Sequence, residues 1–289
     1  MKQDRLHVQR KPSINDASMV IGLSGWMDGG DVSTGTIEYL RQRLQADEIA
    51  RIDPNGFYIY SMPGPMEAAS LFRPHLRIED GMIQAINLPE AIFYEAKDHN
   101  LLLFYAREPN LCWSEFADCI FEMCENCNVR RILFVGSVAG VTPHTREPRI
   151  SCAVSNENLK HWLDQLGVRF SNYAGPGSFA NSILLGAMQR NIEMISLVAE
   201  IPAYLQGYNP TCIEMAIKYV ARILEIHIPV ESLQALSDEF EKRVNELVKR
   251  EPELQQRVLQ LEERYDKELF ETEMGDLKSW LEQRGLRVD

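Results

Sequence analysis

The chain of 289 residues is 45% hydrophobic and 25% charged, with 42 acidic against 30 basic side chains and a formal net charge of −12. That length accommodates one large domain with an extension, or two domains, and the composition is that of a soluble globular protein. The acid surplus excludes a general nucleic-acid binder, which needs a basic face to displace counterions, and disfavours anionic membranes.

The opening MKQDRLHVQRKPSINDAS is too polar for a signal peptide, and no apolar run approaches membrane-spanning length, so a cytoplasmic protein is expected. Met19–Leu23 reads as a buried strand, followed by the loop Gly25-Trp-Met-Asp-Gly-Gly-Asp31 and a helix near Val32–Leu44. A strand is expected near Phe57–Ser61, before Met62-Pro-Gly-Pro65. In Leu76–Asn87 two alternating runs flank Asp80-Gly81, a β-hairpin signal. Leu101–Tyr105 leads into Arg107-Glu-Pro-Asn110 and a helix on which Trp113, Phe116, Ala117, Ile120, Phe121 and Cys124 recur at helical spacing. Arg131–Val135 leads into a long loop, Ser137–Arg149, with a helix near Asn156–Leu166 beyond it. Val168–Tyr173 leads into a glycine loop and a helix near Phe179–Arg190; Met194–Ile201 leads into Pro202-Ala-Tyr-Leu-Gln-Gly-Tyr-Asn-Pro210 and a helix ending near Leu224. Near-continuous apolar strands alternating with helices give an α/β layered domain with a mostly parallel sheet.

After Pro229 the composition changes. Residues 231–289 hold 16 acidic and 10 basic side chains, so half of the net charge lies in a fifth of the length. Leu233, Leu236, Phe240, Val244 and Leu247 follow 3/4 spacing, which resumes after Pro252 with Leu254, Val258, Leu261, Tyr265 and Leu269. Pro252 suits the first turn of a new helix, so two helices are expected, either folded on the preceding domain or forming an arm for oligomerisation or partner binding. The division is 1–229 for the α/β domain and 230–289 for the helical extension.

Ligands of open α/β sheets bind beyond the carboxyl ends of the strands, and the unusual polar residues gather in those loops. Asp28 and Asp31 suit a divalent cation or, more commonly, a helix cap, with Asp31 the better placed to cap. His144 and Arg146, on a loop pinned by Pro143 and Pro148, suit a general base, an anion contact or a hydrogen-bonded brace of the loop; the brace is the commoner use. Gly175-x-Gly177-x-x-Ala180 satisfies a dinucleotide pattern, with Glu200 20 residues further on. Pro176 restricts Gly175, and the loop follows a late strand, so this turn is read instead as an anion seat at a helix N-terminus or a tight packing contact. Cys119, Cys124 and Cys127 match part of a ferredoxin spacing, but they fall on an apolar helix face and at its C-terminal end, where a thiolate is disfavoured; packed, reduced cysteines are expected. Neither G-x-S-x-G, a P-loop nor H-E-x-x-H occurs, and Ser137 and Ser178 have no assignable base.

Six segments together resemble the proteasome assembly chaperone 2 family. They are Gly25-Trp-Met-Asp-Gly-Gly-Asp31, Arg73-Pro74, Arg107-Glu-Pro-Asn-Leu-Cys-Trp-Ser-Glu-Phe116, Val141-Thr-Pro-His-Thr-Arg146, Tyr173-Ala-Gly-Pro176 and Ile201-Pro-Ala-Tyr-Leu-Gln-Gly-Tyr-Asn-Pro210. They stand in the family's order and cover about residues 18–236. The resemblance implies a three-layer α/β/α fold of the phosphorylase/hydrolase-like kind, homo-oligomers with trimers among bacterial relatives, and a C-terminal helical extension. It also implies chaperone work in proteasome assembly without known catalysis. Two departures stand out: the glycine loop has Gly177-Ser178 where the family often has Thr-Gly, and the terminal Gly-Leu-Arg-Val-Asp289 lacks the hydrophobic–tyrosine–x ending that docks on proteasome subunits.

The expected candidate cleft is therefore Trp26, Asp28, Asp31, Arg73, Glu108, Trp113, His144, Arg146, Gly175, Pro176, Tyr204 and Asn209, with no metal and no cofactor assigned. The expected function is non-catalytic protein binding as a homo-oligomer, with a protein client. The alternative is a binder of nucleotide, nucleoside or anion, or an enzyme, using that cleft.

Overall fold

The computed structural model describes residues 5–283. A short strand β1 (Leu6–Val8) precedes β2 (Ser18–Ser24), and a 3-10 turn at Gly29–Asp31 opens helix α1 (Val32–Arg43). Then come β3 (Asp47–Ile52), the short α2 (Met66–Ser70), β4 (His75–Glu79), β5 (Met82–Asn87), β6 (Ala91–Ala96) and β7 (Leu101–Arg107). Helix α3 (Trp113–Asn126) leads to β8 (Arg131–Gly140), β9 (Ile150–Val154), α4 (Asn158–Asp164), β10 (Arg169–Phe170), α5 (Phe179–Arg190) and β11 (Glu193–Pro202). Helices α6 (Pro210–Leu224), α7 (Glu231–Arg250) and α8 (Pro252–Gln283) complete the chain.

Nine strands form one sheet in the order β1-β3-β6-β7-β2-β8-β11-β9-β10. Its centre, β7-β2-β8-β11, is parallel throughout, while β6, β3, β1 and β9 run antiparallel to the neighbours on which they are laid. Alternation along β2 sends Met19, Ile21 and Leu23 to one face and Val20 to the other. On the first face they meet Phe116, Ile120 and Cys124 of α3 and Phe179, Ile183 and Ala187 of α5. On the second, Val20, Leu133, Val135 and Leu197 meet Ile37 and Leu40 of α1, Leu159 and Leu163 of α4, and Ile213, Ile217 and Val220 of α6. This is the three-layer α/β/α arrangement expected. Gly22 lets α1 lie on β2 at close range: a Cβ there would stand 2.4 Å from Ile37 Cγ1 and 2.5 Å from the Ser33 carbonyl oxygen.

Several local expectations are corrected. Phe57–Ser61 is not a strand but an irregular segment whose backbone is tied to the loop after β7. The N–H groups of Asn110 and Leu111 donate to Phe57 O, and the Ile59 N–H donates to Asn110 Oδ1 at 3.1 Å. Phe57 itself is a core plug, edge-on to Phe116 at 4.9 Å, so its apolar run serves packing rather than a ladder. Strand β8 continues past Val135 to Gly140, in parallel register with β11 as far as Pro202, so the loop begins later than expected. Val168–Tyr173 shrinks to the two-residue edge strand β10. Strands β1, β3, β6 and β9, absent from the expected list, account for all the antiparallel pairing of this sheet.

The hairpin at Asp80-Gly81 forms as expected, with both residues at positive φ, 49° and 78°, which a two-residue turn of this kind requires. It makes a separate two-stranded sheet. At the other end of the chain, Leu233 of α7 joins the second core, and Pro252 is the first residue of α8. Val244, Val248 and Val258 form a small third cluster with Phe240, Leu254 and the loop residues Tyr204 and Leu205. Among the described residues no helix is long and apolar enough to cross a membrane. The terminal Gly-Leu-Arg-Val-Asp289 lies outside the described residues.

Candidate functional site at the strand ends

Beyond β2 the loop of residues 25–31 is stitched to the end of β8. The Ser137 N–H donates to Met27 O at 2.9 Å, and Ser137 Oγ donates to Gly29 O at 2.6 Å. Asp28, bridged to Ser137, accepts from the Thr34 N–H at 3.1 Å and from Thr34 Oγ1 at 2.8 Å. Asp28 therefore satisfies the first turn of α1, and the expectation that Asp31 does so is corrected. Asp31 stands at the N-cap position with left-handed φ 53°, and its side chain makes no capping bond. Burial pushes the Asp28 carboxyl up to about 6 against the lowering effect of its two Thr34 bonds. Asn209 ties the start of α6 to the same loop: its N–H donates to Gly30 O at 2.8 Å, and its Oδ1 accepts from the Cys212 N–H at 3.1 Å.

Glu108, after β7, spans two further segments. Its Oε2 accepts from the Trp26 N–H at 3.1 Å, and its Oε1 accepts from the Phe179 N–H at 2.7 Å, the first amide of α5. A helix N-terminus favours negative charge, and here the chain supplies its own carboxylate. The turn before α5 closes on itself as well. Tyr173 Oη donates to Pro176 O at 3.1 Å, and a Cβ on Gly175 would stand 2.4 Å from that hydroxyl. Ser178 N–H donates to Asn181 Oδ1 at 2.8 Å. Glu200, the acid a dinucleotide site would need for ribose, instead accepts from the N–H groups of Val141 and Thr142. Both halves of the dinucleotide pattern are thus spent on local structure. Trp113 braces the same corner, its Nε1 donating to Pro109 O at 2.7 Å and its ring edge-on to Phe179 at 5.8 Å.

His144 and Arg146 form a second group with the C-terminal helices. Tyr204 Oη accepts from the His144 N–H at 2.9 Å and lies 2.7 Å from Nδ1, so it donates its proton to that nitrogen. Nε2 then carries the imidazole proton and faces Asn245 Oδ1 of α7 at 3.3 Å. Burial lowers the His144 pKa, opposed by the Asn245 bond and the charges of Glu241 and Glu262. With both ring nitrogens engaged, the imidazole has no face left for a substrate proton. Arg146 grips Asp266 of α8 in a two-pronged pair, both distances 2.7 Å. Thr145 bonds Glu262, Tyr265 Oη donates to Glu147 O, and Arg149 pairs with Glu268 while lying over the Tyr265 ring at 4.4 Å. The cavity left among His144, Glu200, Asn209, Cys212 and Phe240 has a volume of about 10 Å³, room for one water at most.

Of the expected residues, Trp26, Asp28, Glu108, Trp113, Gly175 and Pro176 thus cluster around the loop of residues 25–31 and the start of α5. His144, Arg146 and Tyr204 cluster under α7 and α8, and Asp31 and Asn209 lie on the loops between. Arg73 is exposed ahead of the hairpin, and its side chain makes no hydrogen bond or ion pair among the described residues. Ser137, weighed in sequence only as a nucleophile, is a structural bridge. The partners Asn245, Glu262 and Asp266 were not legible, because each sits about 100 or more positions from the residue it holds. Cys119, Cys124 and Cys127 are buried in the first core; burial raises the Cys124 thiol pKa and takes Cys127 to about 11.

The open concave surface lies elsewhere, on the antiparallel flank. Two adjoining hollows of about 790 and 530 Å³ share Arg51 of β3, Glu90 and Tyr105 of β7. The larger runs to the root of the hairpin at Ile86 and Leu88, the smaller to α1.

The PAC2 family model matches residues 22–248. No curated protein matches this chain. Among solved structures, the protein of unknown function Rv2714 from Mycobacterium tuberculosis superposes with a TM-score of 0.82 at 20% identity, covering 96% of this chain and 94% of that one. The proteasome-assembly chaperone homologue Rv2125 from the same organism gives 0.74 at 24% identity over 83% of this chain and 99% of its own. PbaB, an archaeal proteasome activator from Pyrococcus furiosus, gives 0.62 at 20% identity over 86% and 99%. At these identities the likeness is one of fold, and it agrees with the family match over most of the sequence: the chain belongs to the PAC2 family.

Proposed function

We propose that this protein is a non-catalytic protein-binding factor of the proteasome-assembly-chaperone kind, acting as a homo-oligomer in the cytoplasm, with the trimer implied by its resemblance as the favoured form. The observation that carries the reading is the fate of the strand-end residues. Where an α/β enzyme keeps its chemistry, Asp28, Glu108, His144, Arg146 and Glu200 bind this chain's own backbone and its C-terminal helices. Family membership supports the same reading, since the relatives of like fold include a proteasome-assembly chaperone homologue and an archaeal proteasome activator. Chemical cross-linking and co-purification of the full chain from its native cell test it, alongside light scattering of the purified protein. A stoichiometric protein client and a defined oligomer are expected; self-association alone, across growth conditions, would count heavily against a client.

The alternative, a small-molecule site at the strand ends, makes a contrary prediction. A ligand at about 100 times its Kd adds about 2.7 kcal/mol of stability, so a thermal-shift screen of nucleotides, nucleosides, phosphate and divalent ions should then show a clear rise. A flat screen is expected here.

A further inference from the structure

The loop at residues 141–149, beyond the carboxyl end of β8, carries two guanidinium groups, Arg146 and Arg149, against one carboxylate, Glu147. Both guanidinium groups meet carboxylates of a single helix. Arg146 holds Asp266 through two bonds of 2.7 Å and lies 3.6 Å from Glu262, which also takes the Thr145 hydroxyl. Arg149 meets Glu268 at 2.9 Å and lies over the Tyr265 ring. Glu262 and Asp266 stand four residues apart, on one face of α8. A basic loop thus grips one face of an acidic helix, and that helix is the chain's own.

Little else fixes α8. Of its described side chains only Val258 is buried, in the small cluster with Val244 and Val248 of α7. The Arg146–Asp266 pair is 32% and 52% exposed, and pairs so open to solvent are weakened by water and salt. The direction of α8 rests on one connecting residue, Glu251, extended at φ −118° and ψ 93° ahead of Pro252. The family match ends at residue 248, so the loop lies within the matched residues and α8 beyond them.

The helix also satisfies the loop only in part. Arg149 is 12% exposed, and its Nε is buried with no partner; Thr142 Oγ1, on the same loop, is buried and unpartnered as well. A guanidinium offers donors in a fork that fits a carboxylate two-pronged, as Arg146 does with Asp266. A helix with a carboxylate placed to reach Nε of Arg149 would therefore hold this loop better than α8 does.

We infer that α8 is a strap standing in for an acidic helical segment of the protein client, and that its release exposes the loop at 141–149 as the receptor for that segment. This rests on the client reading above and gives the client a chemistry: carboxylates on one helix face, four residues apart, with a further one close by. Attached to the chain, α8 acts at a high effective concentration, so the receptor stays closed until a better-fitting acidic helix displaces it.

Fluorescence anisotropy with the full chain tests the strap. The probe is a labelled peptide of residues 257–272, stapled as a helix because so short a segment is marginal alone in water. The chain carrying Glu262→Gln, Asp266→Asn and Glu268→Gln is expected to bind it at least about tenfold more tightly than the native chain, whose own α8 competes. Adding Arg146→Glu to that chain should abolish binding, and a peptide with the same three substitutions should bind neither protein. Equal binding by the native and released chains, no binding to the released chain, or binding that survives Arg146→Glu would overturn the strap. Should the triple variant fold poorly, hydrogen exchange of the native chain decides. From about 0.01 to about 1 M NaCl, residues 141–149 and 258–268 should exchange faster together while β8 and β11 stay protected, and unchanged exchange would overturn the strap. A client whose capture Arg146→Glu leaves undiminished would sink the receptor and leave the client reading intact. A chain without any client would remove that reading and, with it, the partner assigned here.

Discussion

Glu108→Ala is the most informative single change, because one carboxylate holds the Trp26 amide at 3.1 Å and the first amide of α5 at 2.7 Å. A hydrogen bond to a charged group contributes about 1.5–3 kcal/mol, and a negative charge at a helix N-terminus a further ~0.3–1 kcal/mol. Glu108 is half-buried and water can partly replace it, which places the loss at about 2–3 kcal/mol rather than at the full sum. For a chain of 289 residues that corresponds to a fall of roughly 3–5 °C in Tm. Glu108→Gln keeps one carbonyl oxygen and loses the charge, so about half of that fall is expected. Thermal melts followed by circular dichroism give the magnitude, and amide exchange gives the location, with faster exchange at Trp26 and Phe179. The same variant also tests occupancy of the anion seat: phosphate should raise the Tm of Glu108→Ala and leave that of the native chain unmoved. A shift below about 1 °C, or equal phosphate stabilisation of both proteins, would refute the claim that this side chain fills the helix N-terminus.

Three further outcomes are expected. Asp28 titrates near 6 in the folded state against an ordinary 3.8, so its contribution to stability is fully present below pH ~4 and is lost as pH rises through 6. Asn at this position keeps both Thr34 bonds with one donor reversed, so Asp28→Asn should flatten the stability profile between pH 4 and 7, by roughly 2–3 kcal/mol; parallel urea-derived profiles for the two proteins would contradict this. Gly22→Ala places a methyl against the Ser33 backbone and Ile37, and is expected to cost about 3 kcal/mol in denaturant melts, α1 having no room to withdraw. Truncation at residue 251 removes the grip of Asp266, Glu262 and Tyr265, so deuterium exchange across residues 141–149 should rise; unchanged exchange would mean the loop holds itself.

The alternation of apolar strands with helices told from sequence which segments would be buried and that the core of the sheet would be parallel, because burial on both faces leaves near-continuous hydrophobic runs such as Met19–Leu23 and Leu101–Ala106. The antiparallel flank left no such trace. Strand β3, Asp47-Glu-Ile-Ala-Arg-Ile52, is covered on one face only and carries a register shift between Glu48 and Ala50, so its charges and its bulge mask the period. Phe57 shows the opposite failure, an apolar, aromatic segment that packs without pairing.

The candidate site divides along the same line. Residue type and spacing placed Asp28, Glu108 and His144 in post-strand loops, and with them the region where an α/β protein keeps its ligands. Sequence also gave the two-helix break at Pro252 and the turn at Asp80-Gly81, since proline and positive-φ residues act through local backbone geometry alone. Whether those loop residues faced an opening or one another was decided by contacts across 60 to 120 positions: Glu108 with Phe179, His144 with Tyr204 and Asn245, Arg146 with Asp266. Hydrogen bonds of that span have no periodic signature, because each depends on where two separate elements end in space. Only the tertiary structure, by laying α7 and α8 over one strand-end loop, closed that region and left the open concave surface on the antiparallel flank.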